Sequence, residues 1–224
     1  MQMRATTPRI LVLLLVPLLA GCMENGNTSS TTTATTAAAS TVPLHEGFDS
    51  DEGMPAGWSA DSGTWALDDN EAAPSAPHVL RGTGGGGRST LRSPTAYGDF
   101  EATVKFQMVT GDEGAGLSFR YEPDGDYRII RYSVREDGWH YFIMKDGVAD
   151  KPPAAQVTQN ASKLQYGQWV TLRILAEGRH VQAWAGETLV IDFTESEDAA
   201  VGAIGPFLRG SAVALFDDVD IKPR

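Results

Sequence analysis

Two neighbouring segments of the chain carry side chains that are suited to binding hydroxylated ligands. In residues 115–121 and 127–134, apolar and polar positions alternate, so side chains two apart share one face of a strand. Guanidinium groups donate hydrogen bonds to sugar hydroxyls, and aromatic rings stack on the apolar side of a pyranose. If Leu117 and Phe119 face the core, the opposite face is a predicted carbohydrate-binding surface. Its residues are Arg120, Tyr127, Arg131 and an aromatic side chain from Trp139, His140 or Tyr141.

A purely structural interpretation of these residues stays open. Trp139 and Tyr141 alternate in the way that core residues do. The arginines have acidic neighbours with which they can pair on the sheet surface, and these are Glu101, Glu122 and Glu136.

Catalytic chemistry is harder to locate. Glu122, Asp124 and Asp126 cluster, but Pro123 and Gly125 between them indicate a hairpin turn. The four histidines are scattered without metal-ligand spacing, and no Gly-x-Ser-x-Gly sequence occurs. If the protein is an enzyme, the candidate acids and bases are Glu136, Asp137 and His140.

A second cluster is acidic. Asp217 and Asp218 lie in the last predicted strand, which in jelly rolls often pairs with the first strand, near Asp49. Because carboxylates and backbone carbonyls suit hard cations, a structural Ca²⁺ ion is a candidate ligand here, and no other cofactor is expected.

The elements that position these residues are β-strands. In residues 100–108, Phe100, Ala102, Val104, Phe106 and Met108 alternate with polar side chains. Further short alternating segments follow, separated by turn sequences such as Asp-Gly, and no helix-period segment of ten or more residues occurs. The fold class predicted is all-β, an antiparallel two-sheet sandwich of jelly-roll type.

In their order and spacing, several motifs resemble the concanavalin A-like lectin and glucanase superfamily, in particular its 3-keto-disaccharide hydrolase-like branch. They include FD at 48–49, PAGW at 55–58, APSAPHVL at 73–80, DFE at 99–101, GAGLSFR at 114–120, GQWVTLR at 167–173 and FDDV at 216–219. The resemblance implies a jelly-roll domain in a secreted or surface-attached protein that handles glycans. A glucanase of this superfamily would carry Glu-x-Asp-x-(x)-Glu on one strand, and this sequence lacks that motif.

The N-terminus resembles a bacterial lipoprotein signal. Arg4 and Arg9 precede an apolar segment that is too short to span a bilayer and ends in Leu-Ala-Gly-Cys at residues 19–22. We predict a signal peptide at 1–21, acylation of Cys22, a Ser/Thr/Ala-rich tether over the rest of 22–42, and one domain at 43–224. The expected location is the bacterial cell envelope, and Met23 after the cysteine favours the outer membrane in a host with two membranes.

Charge narrows the range of partners. Cleavage removes two of the 18 basic residues and none of the 29 acidic ones, which leaves a formal charge of −13. Nucleic acid is therefore not an expected partner, and acyl chains on Cys22 are the expected membrane attachment. The leading hypothesis is a lipid-anchored carbohydrate-binding protein. The alternatives are a hydrolase or lyase acting on glycosides, and a structural or adhesion module that binds a surface protein.

Overall fold

The computed structural model describes residues 38–51, 53–152 and 163–224. These residues form sixteen strands and no helix. The strands are β1 (Leu44–Glu46), β2 (Ser59–Ala60), β3 (Thr64–Asp69), β4 (His78–Thr83), β5 (Arg88–Arg92), β6 (Ala96–Tyr97), β7 (Phe100–Thr110), β8 (Ala115–Tyr121), β9 (Tyr127–Ser133), β10 (Gly138–Lys145), β11 (Val148–Asp150), β12 (Trp169–Glu177), β13 (His180–Ala185), β14 (Thr188–Thr194), β15 (Gly202–Arg209) and β16 (Val213–Pro223).

The strands form two antiparallel sheets. Sheet 1 has the order β14-β13-β12-β7-β16-β4-β3, with β1 paired to β16. Sheet 2 has the order β11-β10-β9-β8-β15-β5-β2, with β6 paired to β15. The predicted two-sheet jelly-roll sandwich is therefore confirmed, as is the predicted pairing of the last strand with the first.

Alternation in the sequence determines which side chains fill the space between the sheets. Along β7, buried and half-buried residues alternate over the first ten positions, as expected for a strand with one face on a core. Aromatic rings join the sheets, because Phe100 of β7 lies 5.7 Å from Phe119 of β8 and Phe106 of β7 lies 6.1 Å from Trp139 of β10. Truncating one such ring costs about 3–5 kcal/mol in a typical core.

The described residues include no helix long and apolar enough to cross a membrane. The predicted signal peptide, Cys22 and the tether as far as residue 37 lie outside the described residues. Lipid attachment therefore stays a prediction from the sequence.

Candidate functional site

The outer face of sheet 2 aligns residues from five adjacent strands in one row. Strand pairings across β5, β15, β8, β9 and β10 give the row Thr90, Phe207, Gly116, Arg131 and His140. A Cβ atom at Gly116 would lie 2.0 Å from the carbonyl oxygen of Ile130, so only glycine fits at that position. The row consequently has no side chain between Phe207 and Arg131.

Arg131 is held in a defined position on this face. Its Nη1 donates to the backbone carbonyl of Glu113, and its Nη2 donates to Oε2 of Glu136 at 3.4 Å. The guanidinium carbon lies 5.1 Å from the centre of the Phe142 ring. Burial lowers the pKa of Arg131, but an arginine begins from so high a value that it stays charged at neutral pH.

Glu136 and His140 form an acid and base pair beside Arg131. Nε2 of His140 lies 2.9 Å from Oε2 of Glu136, and Lys151 Nζ lies 3.4 Å from the other carboxylate oxygen. Burial lowers the pKa of His140 to about 4, against the attraction of Glu136, so the imidazole is neutral at neutral pH. Burial alone would raise the pKa of Glu136, but the cationic neighbours hold it below its usual value and keep the carboxylate ionised.

Arg131 and Glu136 border a cavity of about 180 Å³, which we call the outer-face cavity. It is lined by Glu113, Arg131, Ser133, Arg135, Glu136 and Arg209. The lining offers guanidinium donors, carboxylate acceptors and one hydroxyl within a small volume. This combination suits a ligand that has several hydroxyl groups, each of which both donates and accepts.

The prediction that Arg120 lies on this outer face is wrong. Arg120, the penultimate residue of β8, has a positive φ of 50°, and the β8–β15 pairing shifts register beside it. The left-handed backbone breaks the alternation and turns the side chain inward, where it is fully buried. Its Nη2 donates to the carbonyl of Gly178 at 2.6 Å, and its Nη1 lies 3.5 Å from Oε1 of Glu195.

Glu195 is the centre of a buried polar cluster that sequence reasoning missed. Besides Arg120, it accepts hydrogen bonds from Nε and Nη2 of Arg128 at 3.1 and 3.0 Å and from the hydroxyl of Tyr141. Burial raises the pKa of Tyr141 well above its usual value, so the phenol keeps its proton and acts as a donor. The only signal in the sequence was the Glu195-Ser196-Glu197-Asp198 string, which is typical of a solvated loop.

Trp139 and Tyr141 also lie inside the sandwich and do not stack on a ligand at the outer face. Trp139 is 2% exposed and Tyr141 is 1% exposed, and their rings contact Phe106 and Phe119 of the core. For these two positions the structural interpretation was correct. His140 is the one residue of this predicted trio that faces outward.

Tyr127 lies on the predicted face, at some distance from Arg131. The two are four residues apart on β9, which corresponds to roughly 13 Å at the rise of a strand. The Tyr127 ring stacks on Tyr121 with ring centres 4.5 Å apart, and the guanidinium of Arg92 covers Tyr121 at 4.7 Å. This end of the face is therefore an aromatic stack capped by a cation.

The remaining candidate acid, Asp137, has a structural role. It lies in the β9–β10 turn with a positive φ of 49°, accepts a hydrogen bond from the Tyr132 hydroxyl at 3.0 Å and contacts Lys163. These contacts hold the pKa of Asp137 below its usual value. Of the three acid and base candidates, the structure brings Glu136 and His140 into contact, and Glu136 lines the cavity.

Two of the three acidic residues proposed to bind calcium, Asp217 and Asp218, have protein partners. Asp217 accepts hydrogen bonds from the amide and hydroxyl of Ser75 at 2.8 and 2.7 Å, and Asp218 lies 2.6 Å from Nζ of Lys105. Among the described residues, no group of three or more His, Cys, Asp or Glu side chains is placed to hold a metal ion. A calcium site at Asp49, Asp217 and Asp218 stays a prediction that this geometry does not support.

Comparison with known proteins gives the family. The model of the 3-keto-alpha-glucoside-1,2-lyase-like domain matches residues 46–222. This range is most of the chain and includes all of β2 to β15. The chain belongs to the 3-keto-alpha-glucoside-1,2-lyase-like domain family. The resemblance noted from the sequence motifs is thereby confirmed. No curated protein sequence matches the chain.

Solved structures similar to this family member share its fold at low sequence identity. The carbohydrate-binding module CBM66 from Bacillus subtilis has a TM-score of 0.61 and 21% identity, covering 74% of this chain and 95% of that one. The cellulose-induced protein Cip1 has a TM-score of 0.60 and 14% identity, covering 81% and 97%. The Bacillus licheniformis beta-glucanase has a TM-score of 0.57 and 12% identity, covering 81% and 98%. At these identities the similarity establishes the jelly-roll fold alone.

Proposed function

We propose that this protein is a lipid-anchored envelope protein that binds glycans in the outer-face cavity of sheet 2. The observation that carries the proposal is the position of Arg131 and Glu136, from β9 and the β9–β10 turn, in the lining of a cavity of about 180 Å³, with His140 of β10 in contact with Glu136. Each of the three side chains is fixed by contacts with its neighbours. A preorganised set of donors and acceptors loses little conformational entropy when a sugar binds.

The remainder of the face suits an extended ligand. The Tyr121–Tyr127 stack lies roughly 13 Å along β9 from Arg131, a distance longer than one sugar ring. A glycan of several units is therefore the ligand class that fits the face. The similar folds of a carbohydrate-binding module and a glucanase support this assignment by analogy.

Attachment to the envelope rests on the sequence. The Leu-Ala-Gly-Cys motif at residues 19–22 supports acylation of Cys22 after export, and the polar segment that follows supports a tether. On this proposal the domain stands away from the membrane, on the periplasmic or outer side, where glycans are present.

A second candidate function is cleavage of a 3-keto-glucoside, and the Glu136–His140 contact favours it. A 1,2-elimination removes the proton at C2, which the C3 carbonyl acidifies, and breaks the C1–O bond, with a proton passing to the departing oxygen. A neutral His140 suits the base, ionised Glu136 can orient it, and Arg131 is placed to stabilise the enolate oxygen that forms.

A glycan array probed with the full-length protein in detergent tests the binding proposal. We expect retention of at least one oligosaccharide family, and retention of none would contradict the proposal. Incubation with a 3-keto-glucoside, followed by mass spectrometry, separates the two candidates. Product formation that is lost in His140→Gln would assign the protein as an enzyme, and retention without product would assign it as a binding protein.

A further inference from the structure

Arg209, which lines the outer-face cavity, lies opposite a second arginine on the neighbouring strand. Arg209 of β15 and Arg88 of β5 are direct register partners, and both point away from the core because Leu208 and Leu91 point into it. Both are half-buried. Like charges directly opposite each other in an antiparallel pair destabilise a sheet, so this arrangement needs a compensating reason.

The described part of the chain shows no side-chain partner for this pair. Among the described residues, no side chain forms a hydrogen bond or an ion pair with the guanidinium of Arg88 or Arg209 within contact distance. By contrast, nearby Arg135 is bound by both oxygens of Asp112 and by Glu113, and Arg131 is bound by Glu136. Two of the cations at this edge are therefore uncompensated in a chain with 29 acidic and 18 basic residues.

The local charge is positive as a result. Five cations, which are Arg88, Arg131, Arg135, Lys151 and Arg209, surround three carboxylates, which are Asp112, Glu113 and Glu136. Burial is the largest cause of the lowered pKa of Arg131, and the positive charge of Arg209 lowers it further. The charge of Arg209 therefore acts on the cavity. An excess of two positive charges at one end of an acidic molecule favours an anionic ligand group.

We propose that the glycan bound here carries carboxylate groups, as uronic acid sugars do. This inference rests on the proposed function and specifies its ligand class. Each guanidinium group offers a planar fork of N–H donors that matches a carboxylate, and Arg209 lines the same cavity as the hydroxyl-binding groups of Arg131 and Glu136. The strongly acidic remainder of the protein repels long polyanions, so the patch suits a single anionic group on a sugar.

The proposal predicts that loss of either arginine weakens ligand binding without lowering the melting temperature, whereas loss of an arginine that stabilises the fold would lower it. Arg88→Gln and Arg209→Gln each remove one member of a repelling pair, so neither should lower the melting temperature. Each should nevertheless weaken binding of a uronate-containing oligosaccharide by roughly tenfold or more, since charge-assisted hydrogen bonds are lost. Arg173→Gln, on the outer face of sheet 1, removes the same charge and should leave affinity unchanged.

The test uses full-length protein in detergent and a panel of oligogalacturonide, glucuronate and alginate oligosaccharides. Each is printed beside its carboxyl-reduced form, and a sulfated neutral oligosaccharide is included. Retention of an acidic member with loss of its reduced form, and weaker retention by Arg88→Gln and Arg209→Gln, is the expected result. Equal retention of reduced forms, retention of the sulfated sugar alone, or unchanged affinity in both variants would overturn the acidic-sugar inference and leave glycan binding standing. Retention of no glycan at all would overturn both proposals.

Discussion

The buried carboxylate of Glu195 provides the most quantitative test of how this sandwich is stabilised. The side chain is 1% exposed and contacts Arg120 and Arg128, whose side chains are 0% and 6% exposed. Glu195→Gln keeps the shape of the side chain and removes its charge. The variant therefore leaves two buried guanidinium groups facing a neutral amide without creating a cavity.

The expected cost follows from the number and burial of these contacts. Removing one partner from a buried ion pair costs about 3–5 kcal/mol, because the remaining charge stays desolvated. The amide oxygen of glutamine keeps part of the hydrogen bonding from Tyr141 and the arginines, which favours the lower half of that range. For a domain of this size, each kcal/mol lowers the melting temperature by about 2–4 °C, so we expect a decrease of roughly 6–16 °C.

Glu197→Gln is the matched control, two residues further along the chain. Glu197 is 61% exposed and its partner Lys145 is 55% exposed, so their ion pair contributes little and the midpoint should barely change. Thermal unfolding followed by tryptophan fluorescence compares the two variants with wild type. If Glu195→Gln unfolds at the same temperature as Glu197→Gln, the assignment of the buried cluster as a stabilising unit is refuted.

Three further predictions concern the anchor, the domain and one histidine. Cys22→Ser should move the protein out of the membrane fraction. Mass spectrometry should find acyl chains on Cys22 in wild type, and an unmodified cysteine would contradict the lipoprotein prediction. A protein of residues 43–224 should unfold cooperatively, show a β-type circular dichroism spectrum and keep its melting temperature in dithiothreitol, since it contains no cysteine; a helical spectrum or a lower midpoint would contradict this. The hydrogen bond of His78 to Asp51, with a second to Asp69, raises the pKa of His78 above 6.5. The protonated histidine therefore stabilises the fold fully below pH 6.5, and this stabilisation is lost as the pH rises through the raised pKa. Melting temperatures measured from acid to alkaline pH should show this loss in wild type but not in His78→Gln, and identical profiles would contradict the prediction.

Residue periodicity could predict most of the fold, because β7, β8, β12 and their neighbours each bury one face or both. The same periodicity predicted that Tyr127 and Arg131 share the outer face of sheet 2, whereas it left open which of Trp139, His140 and Tyr141 joins them. It failed at Arg120, where one residue with positive φ turns the side chain to the opposite face. No pattern of alternation contains that information.

The polar cluster and the cavity depend on contacts between distant parts of the chain. Glu195 meets Arg128 across 67 residues, and Arg209 meets Arg88 through strand pairing that the order of the strands in sequence does not reveal. The acidic segment at residues 195–198 does not indicate from its sequence whether Glu195 is buried or exposed to solvent. Tertiary structure alone distinguishes these cases.

The central claim is that glycans bind in the outer-face cavity through Arg131. Isothermal titration of wild type, Arg131→Ala and Arg173→Ala with the oligosaccharide retained on the array tests this claim most directly. Arg131→Ala should weaken binding by about 1–3 kcal/mol, because the guanidinium hydrogen bonds to ligand hydroxyls are lost, while Arg173→Ala, on the opposite sheet, should bind as wild type does. A folded Arg131→Ala variant that binds with wild-type affinity would contradict the placement of the site.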